Sequence, residues 1–153
     1  MKPCPYPLSA VLPHAAPMIL LDAAVEYGDD AVRTSVHITG DAPFMRDGRV
    51  PSYVGIEYMA QTIGVFQGVH ALEQGKPVRV GFLLGTRKLL LHAPFFEIGD
   101  RLAVEARLQY SDGQIGSFDC RISRRETLVA EARLTVYDTR DDTLITMRTD
   151  GQP

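Results

Sequence analysis

Cysteine is scarce in this sequence, and no segment of it carries a strong positive charge. Its two cysteines, Cys4 and Cys120, lie far apart and outside any CxxC spacing. That pattern predicts neither a zinc site nor a disulfide framework, and it fits the reducing cytoplasm. The net charge is −3 and no long basic run occurs, so we expect no binding of DNA or RNA.

Long uninterrupted apolar runs are also missing, which argues against targeting and membrane-spanning segments. Five prolines between positions 3 and 17 break the apolar core that a signal peptide needs. The most apolar stretch, residues 52–71, is interrupted by Gln61, Gln67, His70 and three glycines. We therefore predict a cytoplasmic protein without a membrane span.

The spacing of apolar residues predicts one helix and several strands. The helix is expected from Pro51, with Ser52 as a possible cap, to about Glu73, where a Gln-Gly-Lys-Pro sequence ends it. Strands are expected at 18–27, 32–38, 78–91, 101–110, 114–123 and 128–137, with a short one at 144–147. The remaining segments are predicted to be an extended arm (1–17), a loop (43–51) and a tail (139–153).

One apolar helix followed by a long antiparallel meander is an α+β pattern. The sheet must curl around the helix to bury it, so we expect a single domain over residues 1–153. A small sheet leaves an edge and a helix end uncovered. This predicts pairing with a second subunit, which would extend the sheet and close the core.

The predicted helix contains one formally charged residue, Glu57, set among Val54, Ile56, Met59 and Ile63. Apolar and small residues run nearly all the way around this helix, so it is expected to be enclosed by other structure. Burial disfavours an ionised carboxylate, so the pKa of Glu57 is expected to rise toward neutrality, where a proton donor works best at cellular pH. The alternatives for Glu57 are a solvated helix residue and a buried hydrogen-bond hub.

Three segments, taken in order, form a larger pattern. They are LPHAAPMILLD at 12–22, VPSYVGIEYMAQTIG at 50–64 and GFLLGTRKLLLHAPFFEIGDRL at 81–102. Together they resemble the hotdog-fold 3-hydroxyacyl-[acyl carrier protein] dehydratases over nearly the whole chain. The helix segment looks most like the divergent branch associated with aryl polyene biosynthesis. The resemblance implies a hotdog fold, in which a curled antiparallel sheet wraps a long central helix.

The resemblance also implies a reaction that needs no cofactor: a (3R)-3-hydroxyacyl thioester on acyl carrier protein loses water to give the trans-2-enoyl thioester. Glu57 matches the family's helix carboxylate, which handles the hydroxyl or the water. Gln61, one turn later, is expected to hold that carboxylate or water in place. Ser52 stands where the family has glycine, at a helix start whose N–H groups polarise the thioester carbonyl. The predicted substrate-binding residues are Ser52, Tyr53, Gln61 and Gly85.

The loop before the helix departs from the family pattern. The family's catalytic histidine lies there, in a Gly-His-Phe-Pro-Gly sequence contributed across the dimer interface, whereas residues 43–51 contain no histidine. Three interpretations stay open: His14 has become the base, Arg46 or Asp47 has a changed role, or the chain does not catalyse on its own. As a neutral imidazole His14 suits a base near pH 7, and it equally suits a structural role in its loop.

The other three histidines, His37, His70 and His92, are expected to be structural. His70 lies near the end of the predicted helix, where it can face the helix dipole. None of the four histidines is spaced with carboxylates in a metal-binding pattern, so no metal is predicted.

Cationic and aromatic side chains near the predicted site each have two interpretations. Because acyl carrier proteins are acidic, the cations form a docking surface or simply a solvated face. The aromatic side chains line an acyl tunnel or belong to the core. The cations are Arg46, Arg49, Arg79, Arg87 and Lys88, and the aromatic residues are Phe44, Tyr53, Phe66 and Phe82.

Three functions are compatible with the sequence. The first is a dehydratase of acyl carrier protein-bound chains, working as a homodimer or as half of a heterodimer with another hotdog subunit. The second is a non-catalytic subunit that stabilises an active hotdog partner. The third is a hotdog thioesterase, which uses a helix carboxylate to activate water against an acyl thioester. The Met-Ala-Gln helix and the Leu-Pro-His opening favour the first.

Overall fold

The structure, a computed structural model, describes residues 1–14, 17–79 and 81–137. Its elements are β1 (Lys2–Pro3), α1 (Leu8–Val11), β2 (Ala23–Tyr27), β3 (Ala31–His37), β4 (Arg49–Pro51), a 3₁₀ helix (Ser52–Val54), α2 (Gly55–Glu73), β5 (Phe82–Leu91), β6 (Phe95–Glu97), β7 (Arg101–Ser111), β8 (Ile115–Arg124) and β9 (Thr127–Tyr137). Seven strands form one antiparallel sheet in the order β1-β2-β3-β7-β8-β9-β5, and β4 pairs with β6 in a second sheet.

Helix α2 packs on the inner face of the large sheet, where it contacts β3, β7, β8 and β9. Side chains alternate between the two faces of these strands, so Leu102, Val104 and Ala106 of β7 are buried while their neighbours face outward. The predicted α+β architecture, with a sheet curled around one apolar helix, is therefore confirmed. No helix in the described part of the chain is long and apolar enough to cross a membrane.

The predicted strands agree with the structure where the alternation of buried and exposed residues is clearest. The strands expected at 32–38, 101–110, 114–123 and 128–137 match β3, β7, β8 and β9 to within one residue at each end. The strand expected from residue 78 begins at Phe82. The short strand at 144–147 and the tail at 139–153 fall outside the described residues.

The strand predicted at 18–27 begins only at Ala23, so its first part was wrong. The backbone before it bonds to a helix side chain instead: Gln61 Nε2 donates to Met18 O at 2.8 Å, and the Leu20 N–H donates to Gln61 Oε1 at 2.9 Å. A partner 41 or more residues away in sequence therefore replaces the neighbouring strand that the local pattern implied.

The amino-terminal segment is not the extended arm that its prolines suggested. Strand β1 pairs with β2, and α1 packs across α2. The crossing is close, because a Cβ at Gly68 would overlap the carbonyl oxygen of Val11, and one at Gly64 would lie 3.0 Å from Leu12 Cδ2. Two glycines on one face of α2 thus let residues 11–12 approach the helix backbone.

The segment 43–51 is only partly a loop, because its end forms β4 and pairs with β6. The helix then starts with a 3₁₀ turn at Ser52, whose side chain makes no capping hydrogen bond. The β4–β6 pairing fixes where α2 begins, and hence where its first turn points.

Strand β5 forms one edge of the sheet and leaves a row of apolar side chains exposed. The exposed fractions lie between 41% and 55% for Phe82, Leu83, Leu84, Leu90 and Leu91. An unpaired edge with apolar side chains is a surface that a second strand can cover. We therefore expect the predicted second subunit to pair at β5.

Candidate functional site

Glu57 lies in the first turn of α2, and its side chain is exposed. The sequence led us to expect a buried carboxylate, and that expectation was wrong for the single chain. The physical reason is that the sheet covers α2 on the side away from Glu57, whereas the side that bears Glu57 opens into two cavities. Within the described residues, no part of the chain encloses this carboxylate.

The two cavities that meet at Glu57 differ in lining. The first, of about 200 Å³, is bordered by polar and apolar side chains; the second, of about 560 Å³, is bordered mainly by apolar ones. The polar cavity includes His14, Glu57, Gln61, Gln67, Arg79 and Leu83. The apolar cavity includes Met18, Leu20, Phe44, Tyr53, Val54 and Glu57. Glu57 is thus the one titratable side chain that borders both cavities among the described residues.

Gln61 holds Glu57 and the chain around Met18 and Leu20 in a fixed relation. Its carboxamide is 2% exposed and makes the two backbone hydrogen bonds described above. The same Nε2 lies 3.3 Å from Glu57 Oε1, to which it donates a longer hydrogen bond. The structure therefore places Gln61 as a positioning residue, and direct contact with substrate stays a prediction.

Replacing Gln61 by methionine is expected to destabilise the fold by about 2–4 kcal/mol, because the Leu20 N–H and Met18 C=O would lose their partners in a partly buried position. Urea denaturation measures this change. Gln74→Met, at an exposed position just after α2, is the matched control and should change stability by less than about 0.5 kcal/mol. Equal effects of the two substitutions would contradict the role of Gln61 as the side chain that joins residues 18–20 to α2.

His14 borders the polar cavity but makes no hydrogen bond to Glu57. Its Nδ1 is buried and has no partner among the described residues. The chain before it crosses α2 at Gly68 and Gly64, and the chain after it meets Gln61. His14 therefore lies over the middle of α2 on the same cavity as Glu57, and the two side chains do not form a ready-made acid–base pair.

The start of α2 offers a substrate one fewer backbone N–H donor than the sequence predicted. The Ser52 N–H, predicted to point at the substrate, donates to Pro94 O at 3.0 Å, and Ser52 is 1% exposed. The Tyr53 N–H follows at the helix start, where no earlier turn supplies an acceptor. The Tyr53 side chain is 52% exposed and borders the apolar cavity.

Gly85, the remaining predicted substrate-binding residue, lies in β5 away from both cavities. No atom comes within 4 Å of a Cβ placed there, and Gly85 borders neither cavity. The structure thus does not bring Gly85 to Glu57.

Arg46 and Asp47 lie in a tight turn and border neither cavity. The backbone groups of Arg46 and Arg49 bond to each other across this turn, and Asp47 has a φ of 51°. Among the other cations considered for docking, the Arg49 guanidinium stacks on Phe95 at 4.4 Å, and Arg79 borders the polar cavity. Arg46 and Asp47 therefore have no direct access to a substrate that lies against Glu57.

The remaining histidines lie outside both cavities. His70 Nε2 is 3.1 Å from Gly28 O and its ring packs on Phe66, while His92 Nε2 is 3.0 Å from Glu131. His37 is half-buried at the end of β3. Among the described residues, no group of three or more His, Cys, Asp or Glu side chains is arranged to hold a metal ion.

Tyr58, beside Glu57 in sequence, faces the core and is no alternative proton donor. Burial raises the pKa of its phenol to about 12, with a smaller contribution from the negative charge of Asp22. The ring is 3% exposed and stacks on Phe96. Tyr58 therefore stays a neutral core residue at any physiological pH.

Sequence reasoning missed Gln67 as a cavity residue. Its side chain is 7% exposed, yet it makes no hydrogen bond among the described residues and borders the polar cavity. A signal was present, because Glu57, Gln61, Gly64 and Gln67 follow one another at helical spacings of three and four residues. This spacing places them along one face of α2.

Comparison with known proteins agrees with this geometry. Residues 6–146 match the ApeP-like family, described as ApeP dehydratase. The 3-hydroxyacyl-[acyl-carrier-protein] dehydratase FabZ of Streptococcus pyogenes serotype M5 is 30% identical over 134 residues, which cover 84% of this chain and 93% of that enzyme. The bifunctional enzyme LpxC/FabZ of Chlorobaculum tepidum is 31% identical over 130 residues, but this chain spans only 27% of its length.

A solved structure gives the same result. A chain of the dehydratase heterocomplex ApeI:P from Xenorhabdus doucetiae is 35% identical and has a TM-score of 0.85. The match covers 93% of this chain and 97% of that chain. The likeness confirms the predicted hotdog fold. It also supports the resemblance to dehydratases that the three sequence segments indicated.

Proposed function

Because the chain belongs to the ApeP-like dehydratase family, we propose that it acts as a subunit of a dehydratase for 3-hydroxyacyl-[acyl carrier protein]. The reaction gives the trans-2-enoyl thioester of fatty acid or polyene biosynthesis. The observation that supports this best is the position of Glu57, held by Gln61 at the junction of two cavities. The whole chain would then be one hotdog domain.

Glu57 is suited to the departing hydroxyl. In its protonated form it donates a proton to the C3 oxygen, which leaves as water, while a base removes the proton from C2 and that electron pair forms the C2–C3 double bond. The base then holds the proton from C2, Glu57 is ionised, and proton exchange with solvent restores both groups. One acid and one base are therefore required on the same substrate.

The thioester carbonyl is expected at the start of α2. Charge that develops on its oxygen is stabilised by the positive end of the helix dipole and by backbone N–H donors. The Ser52 N–H is already bonded to Pro94 O, so the Tyr53 N–H is the donor that we assign to this role. This assignment also brings the exposed Tyr53 ring next to the substrate.

The described residues bring no general base into hydrogen-bond contact with Glu57. The segment 43–51 has no histidine, Arg46 and Asp47 border neither cavity, and His14 makes no hydrogen bond to Glu57. These facts favour a site shared between two subunits, in which a hotdog partner contributes its loop histidine opposite Glu57. His14 within a homodimer is the alternative, since it borders the same cavity.

The partner is expected to pair with the chain along β5. Among the described residues that strand is one edge of the sheet and exposes its apolar side chains, so a second strand could pair with it. A relative forms part of a heterocomplex named ApeI:P. We therefore propose a heterodimer with a second hotdog subunit, and acyl carrier protein as the carrier of the substrate.

The free thiols of Cys4 and Cys120 suit a cytoplasmic location.

Turnover with and without a partner tests this function. A 3-hydroxyacyl-[acyl carrier protein] is given to the purified chain alone and to the chain with a hotdog subunit that has the Gly-His-Phe-Pro-Gly loop, and loss of water is followed by mass spectrometry. We expect dehydration to rise by at least about 10²-fold with the partner, because the general base is then present. The partner should lose this effect when its loop histidine is replaced by alanine.

Other outcomes would replace the shared site. Full activity of the chain alone that His14→Ala abolishes would establish a relocated base in a homodimer. Release of free thiol in place of water loss would establish a thioesterase. An active partner whose rate is unaffected by Glu57→Gln would make this chain a stabilising, non-catalytic subunit.

A further inference from the structure

The polar cavity is bordered by two side chains whose hydrogen-bonding capacity is unused within the described residues. Gln67 is 7% exposed, and its carboxamide makes no hydrogen bond to another described residue. His14 Nδ1 is buried and likewise has none. Solvent reaches the Gln67 carboxamide through the cavity, so a ligand that fills the cavity has to replace the hydrogen bonds that water makes there.

The cavity follows one face of α2 from Glu57 to Gln67. Between them Ala60, Gln61 and Gly64 border it on the same helix face. Ten residues of α-helix span about 15 Å. Its volume of about 200 Å³ leaves room for one acyl chain.

The direction of the substrate follows from the proposed function, on which this inference rests. The thioester carbonyl lies at the helix start and the C3 hydroxyl at Glu57, one turn further along. The rest of the acyl chain then continues in the same direction, toward Gln67. The walls along that path include Ile63, Leu83 and Val136, which suit hydrocarbon, and the far end is polar.

A glycine makes room for the carboxamide of Gln67. A Cβ at Gly81 would lie 2.7 Å from Gln67 Oε1 and 3.2 Å from Tyr137 O, so any larger residue at position 81 would displace the amide. The position of Gln67 therefore depends on two separate elements, α2 and the segment that leads into β5.

We propose that Gln67 is a specificity-determining residue that selects acyl chains ending in a hydrogen-bonding group, such as a hydroxyl. A chain that fills the cavity displaces water from the carboxamide. A hydrocarbon end then leaves Gln67 unpaired, whereas a terminal hydroxyl both accepts from Nε2 and donates to Oε1. Sites that bury a hydrogen-bonding group reject analogues that lack its partner.

The test uses pairs of acyl-pantetheine amides of equal length, one ending in hydroxyl and one in methyl, over a range of lengths. Binding to the assembled dimer is measured by calorimetry. At the length that reaches Gln67, we expect the hydroxyl-ended chain to bind about tenfold more tightly. Gln67→Met should remove this preference and retain binding of the methyl-ended chain, and Gly81→Ala should weaken the preference. Gln74→Met, outside the cavity, should leave the preference intact.

Two results would overturn the role of Gln67: equal binding of both chain ends at every length, or a preference that persists in Gln67→Met. Circular dichroism of each variant distinguishes these results from loss of the fold. Dehydration of the corresponding 3-hydroxyacyl-[acyl carrier protein] pairs is measured in parallel. Absence of any turnover would count against the dehydratase function, whereas the binding preference decides the role of Gln67.

Discussion

Glu57→Gln is expected to lower the dehydration rate of the assembled dimer by about 10²- to 10⁴-fold, the range that general acid catalysis contributes. Glutamine keeps the size of the side chain but cannot give a proton to the departing hydroxyl. The fold should be little affected, because Glu57 is exposed and, within the part of the chain that the structure describes, makes one long hydrogen bond of 3.3 Å. The measurement is kcat for water loss under saturating substrate.

The matched control is Glu126→Gln, which also removes one exposed carboxylate, in the turn between β8 and β9. That variant should keep its rate within about twofold, since it changes net charge equally but lies outside both cavities beside Glu57. Full activity of the Glu57→Gln variant would contradict the assignment of Glu57 as the general acid.

Gly68→Ala is expected to cost about 3 kcal/mol of stability, despite the better helix propensity of alanine. The added Cβ would overlap Val11 O and would lie 2.8 Å from its carbonyl carbon and 2.9 Å from its Cα. These are backbone atoms that no rotamer change can move, so α1 must shift away from α2. Urea denaturation measures the loss, and m-values show whether the native state has loosened.

Gly64→Ala provides the comparison, because it makes the same substitution one turn earlier on the same helix. Its Cβ would meet only Leu12 Cδ2, at 3.0 Å, and that methyl group can rotate aside. We expect a change below about 1 kcal/mol, with propensity and crowding nearly cancelling. Similar losses in both variants would show that the backbone contact between Val11 and Gly68 is not the limiting one.

The sequence alone predicts those helices and strands whose pattern of apolar residues does not depend on which element packs against them. Apolar residues on nearly all sides of 55–73 indicate a helix enclosed by other structure, and alternation along 101–107 indicates a strand with one buried face. Both signals come from a period in the chain itself. They therefore give the architecture even before the strand order is known.

The errors arose where a distant group decides the local conformation. Met18 to Leu20 has the composition of a strand, but Gln61 takes the backbone bonds that a neighbouring strand would have made. Prolines at 3, 5 and 7 suggested an extended arm, yet α1 forms at residue 8 because Gly64 and Gly68 allow it to dock on α2. Neither cause can be read from the local sequence.

The site was predictable in part. The helix carboxylate and the amide one turn later follow from spacing, and the structure brings Gln61 to Glu57. The exposure of Glu57 was not predictable, because a partner molecule that is not part of this sequence is expected to cover the apolar helix surface around it. The Ser52 N–H was misassigned for a similar reason, since its acceptor, Pro94 O, is 42 residues away in the chain.

The bonds of Gln61 limit what can be inferred from its presence in a related sequence. One carboxamide ties the 18–20 segment to the helix and also touches the acid. A descendant that had lost its chemistry would still be less stable without this amide. The Met-Ala-Gln signature in an unfamiliar genome therefore reports shared ancestry of the scaffold, and only the acid together with a histidine opposite it reports that the reaction survives.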